Sequence, residues 1–269
     1  MSSCKKGSSE SNGVKNSDLT ITNMNRGLIA YSIGIFLSVL IIGCEPEKPT
    51  KPDNPLNGRT TAVFNPAKSY GTVTDIDENV YKTIKIGDQV WMAENLRATH
   101  YRNGEEIPDI KDSTQWAIQT GGAYCSYNNT ENLDTIATFG RLYNWYTTQD
   151  SRNLAPEGWR VANSVDWLIL IDYLGGDTIA SKHLKEAGTL HWDNPNNADN
   201  SSGFTALPGG WRYQNRNTDQ INYYTMFWTS SMVTDISSPS VQLFTWNDNI
   251  VYKIIRNNVN GYSIRCIKE

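Results

Sequence analysis

Apolar residues are spread along this chain in three rhythms, and each predicts a different kind of element. Leu28 to Ile42 form an almost unbroken apolar run of fifteen residues that stops at Gly43-Cys44. Spanning a bilayer takes about 20 such residues, so the run is short for a membrane helix. Prolines then recur at 46, 49, 52 and 55. Polyproline II completes a turn in about 3 residues and rises ~3.1 Å per residue, which predicts a semi-rigid rod of roughly 30 Å. From Tyr70 to Leu96 the rhythm shortens to two. Val80, Ile84 and Ile86 alternate imperfectly with Lys82, Thr83 and Lys85, and turn residues stand at Asp77-Glu78-Asn79 and Gly87-Asp88. A short β-meander is expected there.

Residues 97 to 135 show no clear period and are expected to form irregular loops, with a short helix over Gly140 to Thr148. A helix of period 3.6 follows. Trp167, Leu168, Leu170, Ile171 and Leu174 form its apolar face, Asn163 or Ser164 can cap it, and Asp166 lies in its first turn. Gly175-Gly176 ends it. A weaker helix is predicted over Thr178 to Ala187. Strands return at Tyr223 to Ser230, Val241 to Trp246, Ile250 to Arg256 and Tyr262 to Ile267, the middle pair joined by Asn247-Asp248-Asn249. Strands, then helices, then strands predict an α+β fold of short helices and antiparallel strands.

The apolar run gains meaning from its flanks. Arg26 precedes it, and Ile41-Ile42-Gly43-Cys44 resembles a lipobox, in which a small residue precedes the cysteine that is lipidated. Residues 1–43 are therefore expected to be a leader and lipoprotein signal peptide, with translation starting at Met24. Residues 44–69 are expected to be the lipidated Cys44 and a tether, and residues 70–269 a single domain. The expected location is the cell envelope, lipid-anchored to a membrane through Cys44, the outer membrane in particular.

Charge narrows the partners. The chain has 24 Lys and Arg against 28 Asp and Glu. Four of the basic and two of the acidic residues precede Cys44, which leaves a formal charge of −6 after it. That is no footprint for nucleic acid. All nine tryptophans lie between Trp91 and Trp246, enough for a large aromatic core. Cys125 and Cys266 are the two cysteines left in an exported domain, where a disulfide is expected; two separately buried thiols are the alternative.

Several stretches together resemble one family. They are Ile86-Gly87-Asp88-Gln89-Val90-Trp91-Met92-Ala93-Glu94-Asn95-Leu96, Gly122 to Asn129, Gly140-Arg141-Leu142-Tyr143-Asn144-Trp145-Tyr146, Leu154 to Val161, Gly203 to Gly210 and Ser263-Ile264-Arg265-Cys266. In this order they are similar to the Fibrobacter succinogenes major paralogous domain of exported proteins and lipoproteins. Ala162-Asn163 stands where the family usually has Pro-Thr, and Trp228-Thr229-Ser230-Ser231 where it has Trp-Ser-Ser. The resemblance implies no particular activity. Gly158-Trp159-Arg160-Val161 with Asp166-Trp167 more distantly resembles formylglycine-generating, sulfatase-modifying enzymes, which implies a C-type-lectin-like fold. Those enzymes use two closely spaced cysteines, whereas Cys266 has no companion nearby in sequence. Fold likeness alone carries no activity.

Candidate chemistry is sparse. His100, His183 and His191 follow no metal-ligand spacing, and no P-loop, nucleophile elbow or dinucleotide fingerprint is present. Asp193 to Gly203 is dense in oxygen ligands, and Asp193, Asp199 and Asn200 are candidates for Ca²⁺; a turn-rich loop explains the same composition. Trp116, Trp192 and Trp211 fall in predicted loops and are candidates for stacking on sugar rings, with core packing the alternative. The function expected is a displayed, non-enzymatic module binding an extracellular glycan or protein. The alternatives are an exported polysaccharide-acting enzyme and a structural envelope protein.

Overall fold

The computed structural model describes residues 53–269 except 216, 248 and 249. The leader, Cys44, the first part of the tether and the Asp248-Asn249 turn lie outside the described residues. Twelve strands are described: β1 (Gly71–Thr74), β2 (Val80–Ile86), β3 (Gln89–Met92), β4 (Tyr124–Cys125), β5 (Leu142–Tyr143), β6 (Trp159–Val161), β7 (Gly209–Arg212), β8 (Thr218–Ile221), β9 (Tyr224–Trp228), β10 (Ser237–Phe244), β11 (Val251–Asn257) and β12 (Cys266–Lys268). Among them run five short α-helices: α1 (Ser113–Ala117), α2 (Leu133–Phe139), α3 (Tyr146–Gln149), α4 (Ser164–Tyr173) and α5 (Ala180–Leu184). The fold is α+β. Among the described residues no helix is long and apolar enough to cross a membrane.

The strands form two five-stranded sheets, in the orders β1-β2-β3-β12-β6 and β11-β10-β9-β7-β8, and a β4-β5 pair. Pairing is antiparallel except between β7 and β9, where Gly210 lies opposite Thr225 in parallel. Residues 261–264 stitch the parts together. Tyr143 and Tyr262 exchange backbone hydrogen bonds of 2.9 Å, Trp228 N–H donates to Ser263 O at 3.1 Å, and Leu96 N–H donates to Ile264 O at 3.0 Å.

Helix α4 forms where its caps predict. The Asn163 side chain accepts from the backbone N–H of Val165 and Asp166, and Asp166 reaches back to the Asn163 N–H, a complete capping box. Beyond Leu174, Gly175 N–H donates to Asp172 O and Gly176 N–H to Ile171 O, the Schellman pattern, with both glycines at positive φ. Its inner face buries Trp167, Leu170 and Ile171. The Trp167 ring meets Trp91 at 5.0 Å, Phe227 at 5.3 Å and Phe204 at 5.6 Å. Phe227, Val241 and Leu243 bring the inner face of the second sheet to the same cluster.

A polar hub joins the two ends of the domain inside this core. Arg265 is fully buried, donating through Nε to Asn95 Oδ1 at 2.7 Å and through its other nitrogens to Met92 O, Phe204 O and Thr205 O at 2.8 to 3.0 Å. The guanidinium lies 4.5 Å from the centre of the Phe204 ring. Burial lowers the proton affinity of Arg265, and Glu94 works against that shift. Asn95 also donates to Phe139 O at 2.9 Å and Ser263 Oγ at 3.3 Å. Glu94 pairs with the buried Arg97 at 3.2 Å, and Arg97 lies 4.3 Å from the Tyr81 ring. Buried charge in this quantity is tolerated only when paired and hydrogen-bonded.

Three regions differ from the sequence expectation. The aperiodic 97–135 region holds α1, β4 and α2 as well as loops. The expected helix over 140–148 divides into β5 and α3, because Tyr143 is captured by Tyr124 on one side and Tyr262 on the other. The end of the expected tether, from Asn54 to residue 69, belongs to the domain. Asn54 Nδ2 donates to Asp77 O, Val63 N–H donates to Glu186 Oε1, and Thr61 Oγ1 bonds His191 Nε2. Pro55 lies in a turn closed from Asn57 N–H to Asn54 O, so it is not part of a rod.

Candidate functional site

The structure separates the residues that the sequence singled out. Trp116 is fully buried beneath the Arg212 guanidinium, 4.4 Å from its ring. Trp192 is fully buried too, its indole N–H donating to Ala206 O at 2.9 Å. Neither can stack on a sugar, a correction with a plain cause: a stretch without a readable period can still carry a core side chain, Trp116 on the short helix α1 and Trp192 on a loop. Cys125 and Cys266 are buried free thiols in different clusters, so the expected disulfide is not formed. Burial pushes the Cys125 thiol up to about 11 and the Cys266 thiol higher still.

The oxygen-rich loop is likewise put to internal use. The Asn200 amide closes on Thr205 through two 3.0 Å hydrogen bonds. Asp199 Oδ1 accepts from Ser201 N–H at 2.8 Å and lies 3.1 Å from His183 Nδ1. Asp193 faces the Tyr223 hydroxyl and raises its pKa. The candidate calcium ligands Asp193, Asp199 and Asn200 thus serve separate partners. Among the described residues, no group of three or more His, Cys, Asp or Glu is placed to hold a metal ion. The loop's composition reflects turn chemistry: Asn196 donates to Glu186 O and Gly188 O, and Asn200 takes a φ of 49°.

Ser201 and His183 line a groove with Lys68 and Lys85, and Asp199 lies beside His183. Their residue types suggest a nucleophilic triad, and their geometry does not form one. Ser201 Oγ at 2.6 Å and Asp199 Oδ1 at 3.1 Å both address Nδ1 of His183. A relay needs hydroxyl and carboxylate on opposite ring nitrogens.

A different surface gathers aromatic rings. On β9 and β10 the residues Tyr224, Met226, Gln242 and Phe244 alternate with the core residues Phe227, Val241 and Leu243, and register pairs Met226 with Gln242 and Tyr224 with Phe244. Trp211 from β7 packs against Tyr224 at 4.9 Å between ring centres, and Tyr213 packs against Trp211 at 5.7 Å. On the other side Tyr224 meets Phe244 at 5.0 Å and Trp246 at 5.1 Å. Five rings make a continuous ladder. Trp246, at its end, is 55% exposed.

Beside the ladder lies a cleft of about 280 Å³, lined by Trp211, Tyr213, Gln242, Arg256, Asn260 and Tyr262 among others. Gln242 is 5% exposed. Its amide makes no hydrogen bond among the described residues, and its nitrogen and oxygen are not fully enclosed. The Trp211 indole N–H is buried without a hydrogen bond. Tyr262 accepts from Asn260 Nδ2 at 3.1 Å, and burial holds its hydroxyl protonated far above the usual tyrosine range. Of the three tryptophans singled out in the sequence, Trp211 alone reaches this cleft. Tyr213, Tyr224, Gln242, Phe244, Trp246 and Arg256 were missed. Their signal is the every-second-residue pattern Gln242, Phe244, Trp246, set against Val241 and Leu243.

These features define an α+β domain with a buried aromatic core and a second aromatic cluster that runs from the buried Trp211 out to the exposed Trp246. Residues 84–268 match the model of the Fibrobacter succinogenes major domain, and the chain belongs to that family. No curated protein and no solved structure matches the chain. Several stretches that carry the family resemblance are architectural here: Trp91 to Leu96 and Ser263 to Cys266 build the buried Asn95–Arg265 hub.

Proposed function

We propose that this protein is a lipoprotein of the cell envelope, anchored through Cys44 to a membrane, the outer one in particular, whose domain binds an extracellular glycan without transforming it. The five-ring ladder beside the Gln242 amide, which makes no hydrogen bond among the described residues, carries this reading. Sugar rings offer apolar faces to aromatic side chains, and their hydroxyls satisfy amides. The short helices and antiparallel strands support a C-type-lectin-like reading of the fold. Glycoside cleavage needs two carboxylates about 5 to 10 Å apart, and the residues lining the cleft include no Asp or Glu. That favours binding over the alternative of an exported polysaccharide-acting enzyme.

The test is a glycan array probed with the full-length protein and with Trp246→Ala and Gln242→Ala. Binding to a glycan class that both substitutions weaken, and that EDTA leaves unchanged, is the expected result. Absence of binding by folded protein would refute the glycan reading and direct attention to protein partners.

A further inference from the structure

The hydrogen-bonding capacity left over in the cleft is unevenly divided. The side-chain carbonyls of its two asparagines are already occupied: Asn257 Oδ1 accepts from Val259 N–H at 2.9 Å, and Asn260 Oδ1 from Gln214 N–H at 3.0 Å. The spare groups are mainly donors. Tyr262 uses its hydroxyl oxygen as an acceptor from Asn260, so its proton remains available. Gln242 offers an amide N–H₂ and also an acceptor, the cleft's one free side-chain amide oxygen among the described residues. Arg256 lines the same cleft and makes no ion pair or side-chain hydrogen bond among the described residues, though Tyr262 senses its charge. No carboxylate lines the cleft to neutralise it.

An arginine with no ion pair among the described residues, set among donors beside aromatic rings, suits an acidic sugar. We propose that the cleft recognises an acidic glycan, with the carboxylate of a uronic-acid-type residue held by Arg256 and its ring lying along the aromatic ladder. This rests on the cleft being a glycan site and adds the ligand's charge. Guanidinium and carboxylate can pair through two parallel N–H···O bonds. At about 280 Å³ the cleft is just under the usual range of small-molecule pockets, roughly 300–1,000 Å³. It suits one residue of a chain whose neighbours run out over the exposed Trp246. The protein's net negative charge opposes such a ligand at long range, so selectivity comes from Arg256 at contact distance.

Titration calorimetry of the full-length protein would use length-matched oligosaccharides of three kinds: neutral, uronate-containing and sulfated. The uronate series should bind at least tenfold tighter than the neutral one, and high salt should shrink that margin. Arg256→Gln should remove the preference at an unchanged melting temperature, and Arg256→Lys should restore part of it. Equal affinity for neutral and uronate chains, or a preference that survives Arg256→Gln, would overturn the proposal and leave the glycan site standing. Tighter binding of the sulfated series would overturn the carboxylate assignment. No binding by any series would refute the glycan site itself.

Discussion

Asn95→Ala should remove a large part of the domain's stability, although Asn95 touches no cleft residue through its side chain. Its carbonyl receives Arg265 Nε at 2.7 Å, and its amide donates to Phe139 O at 2.9 Å and Ser263 Oγ at 3.3 Å. A hydrogen bond to a charged group contributes about 1.5–3 kcal/mol and a neutral one about 1 kcal/mol. The Ser263 bond is long and adds least. Truncation also leaves a buried guanidinium N–H and a buried carbonyl without partners, so these figures act in full and sum to about 3–4 kcal/mol. Domains of this kind are stable by about 5–15 kcal/mol. Urea unfolding followed by tryptophan fluorescence should show a lower midpoint at unchanged slope. Ser263→Ala, which removes only the long bond, should cost less than about 1 kcal/mol. A loss below about 1 kcal/mol for Asn95→Ala would show that the hub does not hold the chain's distant parts together.

Trp246→Ala should weaken glycan binding about tenfold, or about 1.4 kcal/mol, at unchanged melting temperature, whereas Trp116→Ala should cost roughly 3–5 kcal/mol of stability; calorimetry and thermal melts separate the two. Both buried thiols, Cys125 and Cys266, should resist a thiol reagent at pH 8 until denaturant is added, and reducing agent should leave the melting temperature unchanged. Hydrogen bonds from Arg152 hold Asp150 down to about 2 from 3.8. Since the folded value is the lower one, this stabilisation is intact above 3.8 and lost as pH falls through about 2. Asp150→Asn should therefore flatten the stability profile across that window. At Gly140 (φ 74°) a Cβ would come within 2.7 Å of Asn95 Cβ, so Gly140→Ala should cost about 2–4 kcal/mol from strain and overpacking, read by urea unfolding.

What the sequence revealed depended on whether its signals were local. The cap at Asn163, the return from Asp166 and the Gly175-Gly176 stop are all local, and α4 lies where they put it. The alternation of Val80 to Ile86 likewise gave β2. β7 begins with two glycines and has no alternation to read, and β5 is two residues whose pairing partners are distant in sequence. The tryptophans were harder for another reason. Trp116 sits in a region without period, yet Arg212, almost a hundred positions on, covers it. Conversely, Phe244 and Trp246 belong to a regular strand pattern, but nothing in that pattern says which of two apolar faces meets solvent. The disulfide inference failed because compartment permits a bond and only geometry makes one.

The position of β12 bears on how the molecule comes into being. Residues 266–268 lie between β3 and β6, so the edge strand β6 is not joined to the rest of the first sheet until they arrive. Everything made earlier must wait, unsealed, for that insertion. Such dependence on distant segments slows folding. Deleting residues 265–268 would withdraw the strand that joins β6 to β3 and, with it, the buried arginine of the hub.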